Sequence, residues 1–126
     1  MNWQGNFFRM PKKEKIQEFI ETAIGSSGPI ASILLLIDKA IVLIRNSREN
    51  PGAAIENNRR TRNIIAQLQM ALNYREGTST DSLFTLYDYL YEELLIGDEQ
   101  SLDSAEKLLV QLRDTFAELK RKIISS

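Results

Sequence analysis

The segment from Ser82 to Leu95, SLFTLYDYLYEELL, holds a dense group of side chains that could do chemistry. It carries three tyrosines and the carboxylates of Asp88, Glu92 and Glu93. Two carboxylates that converge on one substrate can act as general acid and general base. Glu92 and Glu93 are adjacent, however, and adjacent side chains on a helix face different directions. The segment therefore does not predict a catalytic pair.

The rest of the residue inventory also argues against catalysis. The chain has no histidine and no cysteine, so it lacks the commonest general base, the commonest metal ligand and any thiolate nucleophile. The di-metal centres of helical bundles use paired Glu-x-x-His motifs, which need histidine. No glycine-rich phosphate loop occurs either. We expect a protein that is not an enzyme, with no catalytic residues, no metal site and no cofactor.

The charge balance gives no indication of a nucleic-acid partner. Sixteen basic and 17 acidic residues leave a net charge of −1, whereas nucleic-acid-binding domains carry a marked basic excess. One basic cluster, NNRRTR, contains Arg59, Arg60 and Arg62. We interpret it as a solvated helix face in preference to a site for an acidic partner.

No segment predicts export or membrane insertion. The N-terminus lacks the apolar run of a signal peptide. The most apolar stretch, Ile30 to Ile44, is interrupted by Asp38 and Lys39. It is also shorter than the roughly 20 residues that a membrane-spanning helix needs. The sequence predicts a cytoplasmic protein that does not insert into membranes.

The sequence contains four stretches rich in helix-breaking residues, GSSGP, NSRENPG, REGTSTD and IGDEQS. Each of them precedes a segment with helical periodicity. The predicted helices run from Pro29 to Arg48, from Pro51 to between Tyr74 and Glu76, from Thr80 to Ile96, and from Ser101 to Ile124. Short connections make consecutive helices antiparallel. The expected fold is all-α, an antiparallel up-and-down four-helix bundle with an additional short N-terminal helix at residues 12–24. Residues 29–126 would form the bundle, and residues 1–28 an N-terminal segment within the same single domain.

Capping residues support these boundaries. Asn50 and Ser101 are of the types that accept hydrogen bonds at helix N-termini. Gly77 and Gly97 are suited to the left-handed conformation that ends a helix. We therefore predict N-caps at Asn50 and Ser101, and helix stops at the two glycines.

Three of the helices carry a single apolar stripe with the three-and-four spacing of a packed bundle helix. The stripes are Ile65, Leu68 and Leu72 in the second helix; Leu83, Leu86, Tyr87, Leu90 and Leu94 in the third; and Leu102, Ala105, Leu109, Leu112, Phe116 and Leu119 in the fourth. Tyr91 lies on nearly the same side as Tyr87, whereas Tyr89 points elsewhere.

The first helix is apolar on more than one side. Its residues Leu35, Leu36, Val42 and Leu43 cannot all face the core that Ile33, Ile37, Ala40 and Ile44 would face. Two interpretations remain open. The N-terminal segment covers the outer side of the helix, or an apolar groove is left open for a partner.

Short motifs in the last two helices resemble those of the flagellin-specific export chaperones, the FliS family. The family's leucine-tyrosine-aspartate-tyrosine motif corresponds to Leu86, Tyr87, Asp88 and Tyr89. Its leucine-arginine-aspartate motif with a nearby aromatic corresponds to Leu112, Arg113, Asp114 and Phe116. In the first helix, Pro29 and Asp38 keep the family's spacing, whereas Ile37 and Lys39 replace its tyrosine and glycine.

The resemblance implies binding of the disordered C-terminal segment of flagellin, which would be kept from polymerising and presented for export. The expected partner-binding residues are Leu35, Leu36, Val42 and Leu43 on the first helix and Tyr91 and Leu95 on the third. An N-terminal segment containing Trp3, Phe7, Phe8 and Met10 can cover this groove when no partner is bound. The alternatives are an adaptor for another flagellar export protein and a self-associating bundle. The sequence leaves open whether the chain is a monomer or a homodimer.

Overall fold

Four helices make up the computed structural model, which describes residues 30–72 and 79–125. They are α1 (Ile30–Glu49), α2 (Ala54–Met70), α3 (Ser79–Ile96) and α4 (Glu99–Ser125), and a single 3₁₀ turn, Pro51–Ala53, leads into α2. The described ranges contain no strand, which confirms the all-α prediction. The predicted N-terminal helix at residues 12–24, Pro29 and Gly77 lie outside the described residues.

Each helix packs against two others in a closed ring. Helix α1 contacts α2 and α4, and α3 contacts the same two helices. Over the described residues no Cα atom of α1 lies within 8 Å of a Cα atom of α3, and the same holds for α2 and α4, so each of these pairs is diagonal in the bundle. With consecutive helices adjacent and joined by short connections, the up-and-down topology is confirmed.

The core lies along the bundle axis and consists of the predicted stripes. All the stripe residues predicted in α3 and α4 are buried, as are Ile65 and Leu68 of α2. Leu72 is half-buried and packs against the core. Helix α1 contributes Ile37, Ala40 and Ile44, each 0 % exposed. Burial of one large aliphatic side chain contributes about 1.5–3 kcal/mol, so these stripes are the main source of stability.

Helix α2 starts and ends differently from the prediction. Asn50 occupies the predicted cap position, but its side chain makes no capping hydrogen bond, and the 3₁₀ turn precedes Ala54. The α-helix ends at Met70, before the predicted end between Tyr74 and Glu76. Its last turn tightens, because the Leu72 N–H donates to the Gln69 carbonyl three residues back, at 3.1 Å.

The connection between α3 and α4 confirms one prediction and corrects another. Gly97 has a φ of +67° and ends α3 as predicted. The N-cap of α4 is Asp98, whose Oδ1 accepts a hydrogen bond from the Ser101 N–H at 2.8 Å. Ser101, the predicted cap, is thus already in the first helical turn. Asp98 directly follows the left-handed glycine, so the new helix starts at the first capping residue available.

Candidate partner-binding surface

The outer side of α1 exposes large apolar side chains. Leu35 is 71 % exposed and Val42 is 63 % exposed. They are seven residues apart, which places them on the same side of the helix two turns from one another. Leu36 and Leu43 are half-buried and pack against the core cluster. The four side chains thus form a stripe that extends from the edge of the core into solvent.

The second predicted set lies on α3. Leu95 is 54 % exposed, whereas Tyr91 is half-buried and packs against the core cluster. Because α1 and α3 are diagonal in the bundle, these residues do not form one groove with Leu35 and Val42. The structure places the six predicted residues on two separate surfaces.

The α3 surface and one edge of the α1 stripe are turned towards α2. On α1, Asp38 and Arg45 form ion pairs with α4, and Leu36 and Leu43 each precede one of them by two residues, on the other side of the helix. Val42 is four residues after Asp38, so the most exposed part of the stripe lies nearer the α4 side. On α3, Leu95 is seven residues after Asp88, whose Oδ1 accepts a hydrogen bond from Gln69 of α2 at 2.7 Å. A chain that contacted Leu36, Leu43 and the α3 surface would therefore cross α2.

The tyrosine motif of α3 lies within the bundle. Tyr87 is 2 % exposed and Leu86 is 0 % exposed, and burial raises the pKa of the Tyr87 hydroxyl. Tyr89 faces another side of α3, as predicted, but that side is also buried, with Tyr89 5 % exposed and its hydroxyl hydrogen-bonded to Ser104 of α4. Tyr87 and Tyr89 are therefore packing residues between helices.

The arginine–aspartate motif of α4 lies at the bundle edge. Arg113 Nη2 lies 3.2 Å from Asp114 Oδ1, and Arg113 Nη1 lies 4.0 Å from Asp38 Oδ1 on α1. Phe116 is 0 % exposed and belongs to the core. The second ion pair joins α1 to α4, although exposed pairs of this length contribute little free energy.

The basic cluster on α2 is compensated within its own helix. Arg59 and Arg60 both pair with the exposed Glu56, which confirms a solvated face at these two residues.

The two asparagines that precede this cluster were not predicted to be buried, yet Asn57 and Asn58 are 8 % and 6 % exposed. Asn57 Nδ2 donates to Asn46 Oδ1 of α1 at 2.6 Å. In the sequence, only the three-residue spacing from Asn58 to Thr61 and from Thr61 to Ile64 hints at this inward face.

Glu93 is the buried carboxylate that sequence reasoning missed. It is 5 % exposed, whereas its neighbour Glu92 is exposed. Burial raises the pKa of Glu93, a hydrogen bond from Ser101 lowers it, and the charge of Asp98 raises it, with a net upward shift. Glu93 thus costs stability when it is charged.

A charged cleft of about 390 Å³ separates the end of α1 from the start of α4. It is lined by Arg45, Arg48, Glu49, Glu99 and Glu106. Arg48 reaches three α4 carboxylates, with Nη2 2.6 Å from Glu99 and 3.2 Å from Asp103, and Nη1 2.9 Å from Glu106. Arg45 and Arg48 are both paired with carboxylates of α4. Among the described residues that line it, the cleft therefore offers no free cation for a ligand.

The described helices offer neither a metal site nor a membrane span. In residues 30–72 and 79–125, no group of three or more potential ligands is arranged to hold a metal ion. Over the same ranges, none of the helices has the length and hydropathy of a membrane span.

Comparison with known proteins identifies the family. The family model described as "Flagellar protein FliS" matches residues 12–123, most of the chain. No curated protein and no solved structure gives a significant match. The match includes the tyrosine motif of α3, the arginine–aspartate motif of α4 and the exposed stripe of α1. The chain therefore belongs to the FliS family of flagellar proteins, the export-chaperone family that its helix motifs resemble.

Proposed function

We propose that this chain binds the disordered C-terminal segment of flagellin in the cytoplasm, keeps it from polymerising and presents it for export. The observation that carries the proposal is the exposed stripe of α1, in which Leu35 and Val42 are 71 % and 63 % exposed. Family membership supplies the partner. The protein acts by binding alone and uses no cofactor.

The shape of the surface suits an amphipathic helix. A partner helix presents apolar side chains at i, i+3, i+4 and i+7, and an apolar stripe two turns long accepts such anchors. Leu35 and Val42, the most exposed side chains of the stripe, would contact the apolar anchors of the partner. Leu36 and Leu43 would form the edge of the binding surface nearer the core. The segment would gain helical structure on binding, and the apolar contact would offset the entropy lost in ordering it.

A longer segment would engage both predicted surfaces. The Leu36 and Leu43 edge of the α1 stripe and the Tyr91–Leu95 surface of α3 are both turned towards α2, so we propose that the segment crosses α2 between them. Ile55 and Met70 lie on α2 with exposures of 88 % and 84 %, but they are fifteen residues apart and offer no continuous stripe. The α2 crossing would therefore contribute less affinity than α1.

Calorimetric titration with the C-terminal segment of flagellin from the same organism, accompanied by circular dichroism, tests the proposal. We expect saturable binding, a negative heat-capacity change from apolar burial and a gain in helicity. Absence of binding would leave the fold unaffected and would favour an adaptor for another flagellar export protein.

We also propose that the N-terminal segment, residues 1–28, covers the α1 stripe when no partner is bound. The segment lies outside the described residues, and the support is its aromatic and apolar content at Trp3, Phe7, Phe8 and Met10. Deleting residues 1–11 should then tighten flagellin binding, because a competing occupant is removed. Unchanged or weaker affinity would contradict the cap.

A self-associating bundle would use the same stripe as a homodimer interface. Light scattering separates the two functions, because a stable dimer buries the stripe and a chaperone monomer leaves it accessible. A dimer that persists at saturating flagellin segment would favour self-association.

A further inference from the structure

Lys39 lies at the centre of the apolar stripe of α1. On a helix the nearest neighbours of a side chain are the residues three and four positions away in each direction. For Lys39 these four positions are held by Leu35, Leu36, Val42 and Leu43, which are the four proposed binding residues of this helix. Lys39 itself is exposed. Any partner that covers Leu35 and Val42 must therefore approach its ammonium group.

The charge of Lys39 has no counterion in the described part of the chain. No carboxylate of residues 30–72 or 79–125 lies within 4.0 Å of its ammonium. The adjacent carboxylate, Asp38, is directed towards Arg113 of α4, at 4.0 Å. By contrast, Lys107 and Lys122 of α4 pair with carboxylates four residues earlier. Among the described residues, Lys39 thus presents an uncompensated positive charge within an apolar surface.

Covering this charge with an apolar partner is unfavourable unless an acceptor accompanies it. An ammonium group removed from water without a counterion loses solvation that the apolar contact does not restore. A carboxylate placed opposite it would restore that interaction, and partial desolvation would strengthen the ion pair relative to an exposed one.

We propose that Lys39 is a specificity-determining residue, which selects a flagellin segment carrying an Asp or Glu between its apolar anchors. This inference rests on the proposed function. It predicts that, in the flagellin sequence, an acidic residue lies three or four positions from the apolar anchors that contact Leu35 and Val42. Segments with a lysine or arginine at that position are rejected by charge repulsion.

The competing explanation is that Lys39 only limits aggregation of an apolar surface. A lysine can lay its methylene groups over neighbouring apolar side chains and keep its ammonium in water. In that case a neutral residue at position 39 would bind the flagellin segment as well as lysine does, or better. The two explanations therefore predict opposite effects of the same substitution.

The test uses the full chain and a synthetic C-terminal peptide of flagellin from the same organism. Dissociation constants are measured by calorimetry for the wild type, Lys39→Gln and Lys39→Glu, at low and at high salt. Lys122→Gln and Lys122→Glu are the matched controls, because Lys122 is also an exposed lysine, with a side chain 55 % exposed. Circular dichroism confirms that each variant is folded.

We expect Lys39→Gln to weaken binding about threefold and Lys39→Glu about tenfold or more, with both differences shrinking at high salt. The Lys122 variants should bind like the wild type. Replacing one acidic residue of the peptide with lysine should restore binding to Lys39→Glu and weaken binding to the wild type.

Three results would overturn the inference while leaving the proposed function standing. They are a Lys39→Gln variant that binds the peptide as tightly as the wild type or more tightly, equal effects at positions 39 and 122, and the lack of any peptide carboxylate whose replacement rescues Lys39→Glu. If the wild type does not bind the peptide at all, the proposed function itself fails, and the inference fails with it.

Discussion

Arg48 Nη1 donates a hydrogen bond to Glu106 Oε1 at 2.9 Å and thereby joins the last turn of α1 to the second turn of α4. The same guanidinium also contacts Glu99 and Asp103. The side chain of Arg48 is 26 % exposed and that of Glu106 is 17 % exposed, so the pair is better shielded from water than the other described pairs. A network with this geometry contributes more than an isolated surface pair.

Replacing Arg48 with methionine keeps the aliphatic bulk and removes the donor. We expect the free energy of unfolding to fall by about 1–2 kcal/mol, because three carboxylates lose their shared cation. Urea denaturation followed by circular dichroism measures the change. Arg59→Met is the matched control, since the partner of Arg59 within the described part of the chain is Glu56 of its own helix and both are exposed. Equal losses in the two variants would show that the α1–α4 network has no special role.

The same network predicts loss of stability in acid. Burial alone would raise the pKa of Glu106, but hydrogen bonds from Arg45 and Arg48 outweigh it and hold this pKa below its usual 4.5. A hydrogen bond from Lys107 lowers the pKa of Asp103 below its usual 3.8. A carboxylate whose pKa is depressed by folding stabilises the folded state above its unfolded pKa, and that contribution is lost as pH falls through the folded pKa.

We therefore expect the free energy of unfolding to decrease as pH falls below about 4.5. The decrease should be shallower in Arg48→Met, whose carboxylates have pKa values closer to the ordinary ones. Urea unfolding between pH 7 and pH 3 makes the comparison. Parallel pH curves for the two proteins would exclude Arg48 as the cause.

Glu93 gives a pH effect of the opposite sign. Its folded pKa is raised, chiefly by burial, so its favourable contribution is present below the unfolded pKa and is lost as pH rises through the folded pKa. Within the described ranges, the groups that interact with its carboxyl are Asp98, Tyr89 and Ser101, none of which is a cation. We expect Glu93→Gln to raise the free energy of unfolding at pH 7 by about 1 kcal/mol.

The advantage of Glu93→Gln over the wild type should shrink as the pH is lowered towards 4, where the wild-type carboxyl becomes protonated. Glu92→Gln is the matched control, because Glu92 is the exposed neighbour on the same helix. A glutamine at position 93 that destabilises the protein at pH 7 would mean that the carboxylate is better solvated than its burial indicates.

Gly97 tests the turn between α3 and α4. Its φ is +67°, and an added Cβ would lie 3.2 Å from Asn58 Nδ2. We expect Gly97→Ala to reduce the free energy of unfolding by about 1–2 kcal/mol, since alanine is strained in the left-handed region. Gly52→Ala is the control, because an added Cβ there lies at ordinary contact distance, 3.6 Å from Asn50 Oδ1. Thermal unfolding of both variants decides the matter, and equal melting temperatures would refute the strain argument.

The α1 stripe predicts a binding defect without a folding defect. Val42 is 63 % exposed, so aspartate at this position should leave stability nearly unchanged. The affinity for the C-terminal flagellin segment should fall about tenfold or more, because an anchor would meet a charge in place of an apolar surface. Ile55→Asp is the matched control on α2, where Ile55 is 88 % exposed. Affinities are measured by titration calorimetry. Equal affinities of the two variants would show that the stripe is not part of the binding site.

Much of the fold followed from local patterns. The stripes of α3 and α4 were predicted residue by residue, since a periodic apolar face needs only its own helix to be recognised. The surplus of apolar residues on α1 was also visible in the sequence, and Leu35 and Val42 are indeed exposed. The cap of α4 was misplaced, because Asp98 and Ser101 are both good capping residues and the choice between them depends on how Gly97 ends α3.

The sequence by itself determined the four helices of the bundle, their order and the side of each helix that builds the core. These depend on interactions within a few turns of one chain. Only the tertiary structure decided that Asn57, Asn58 and Glu93 are buried, because their burial depends on which helix lies opposite. It alone placed α1 diagonal to α3, so that the predicted binding residues lie on two separate surfaces. Contacts between distant parts of the chain set that arrangement, and the local spacing of residues does not predict such contacts.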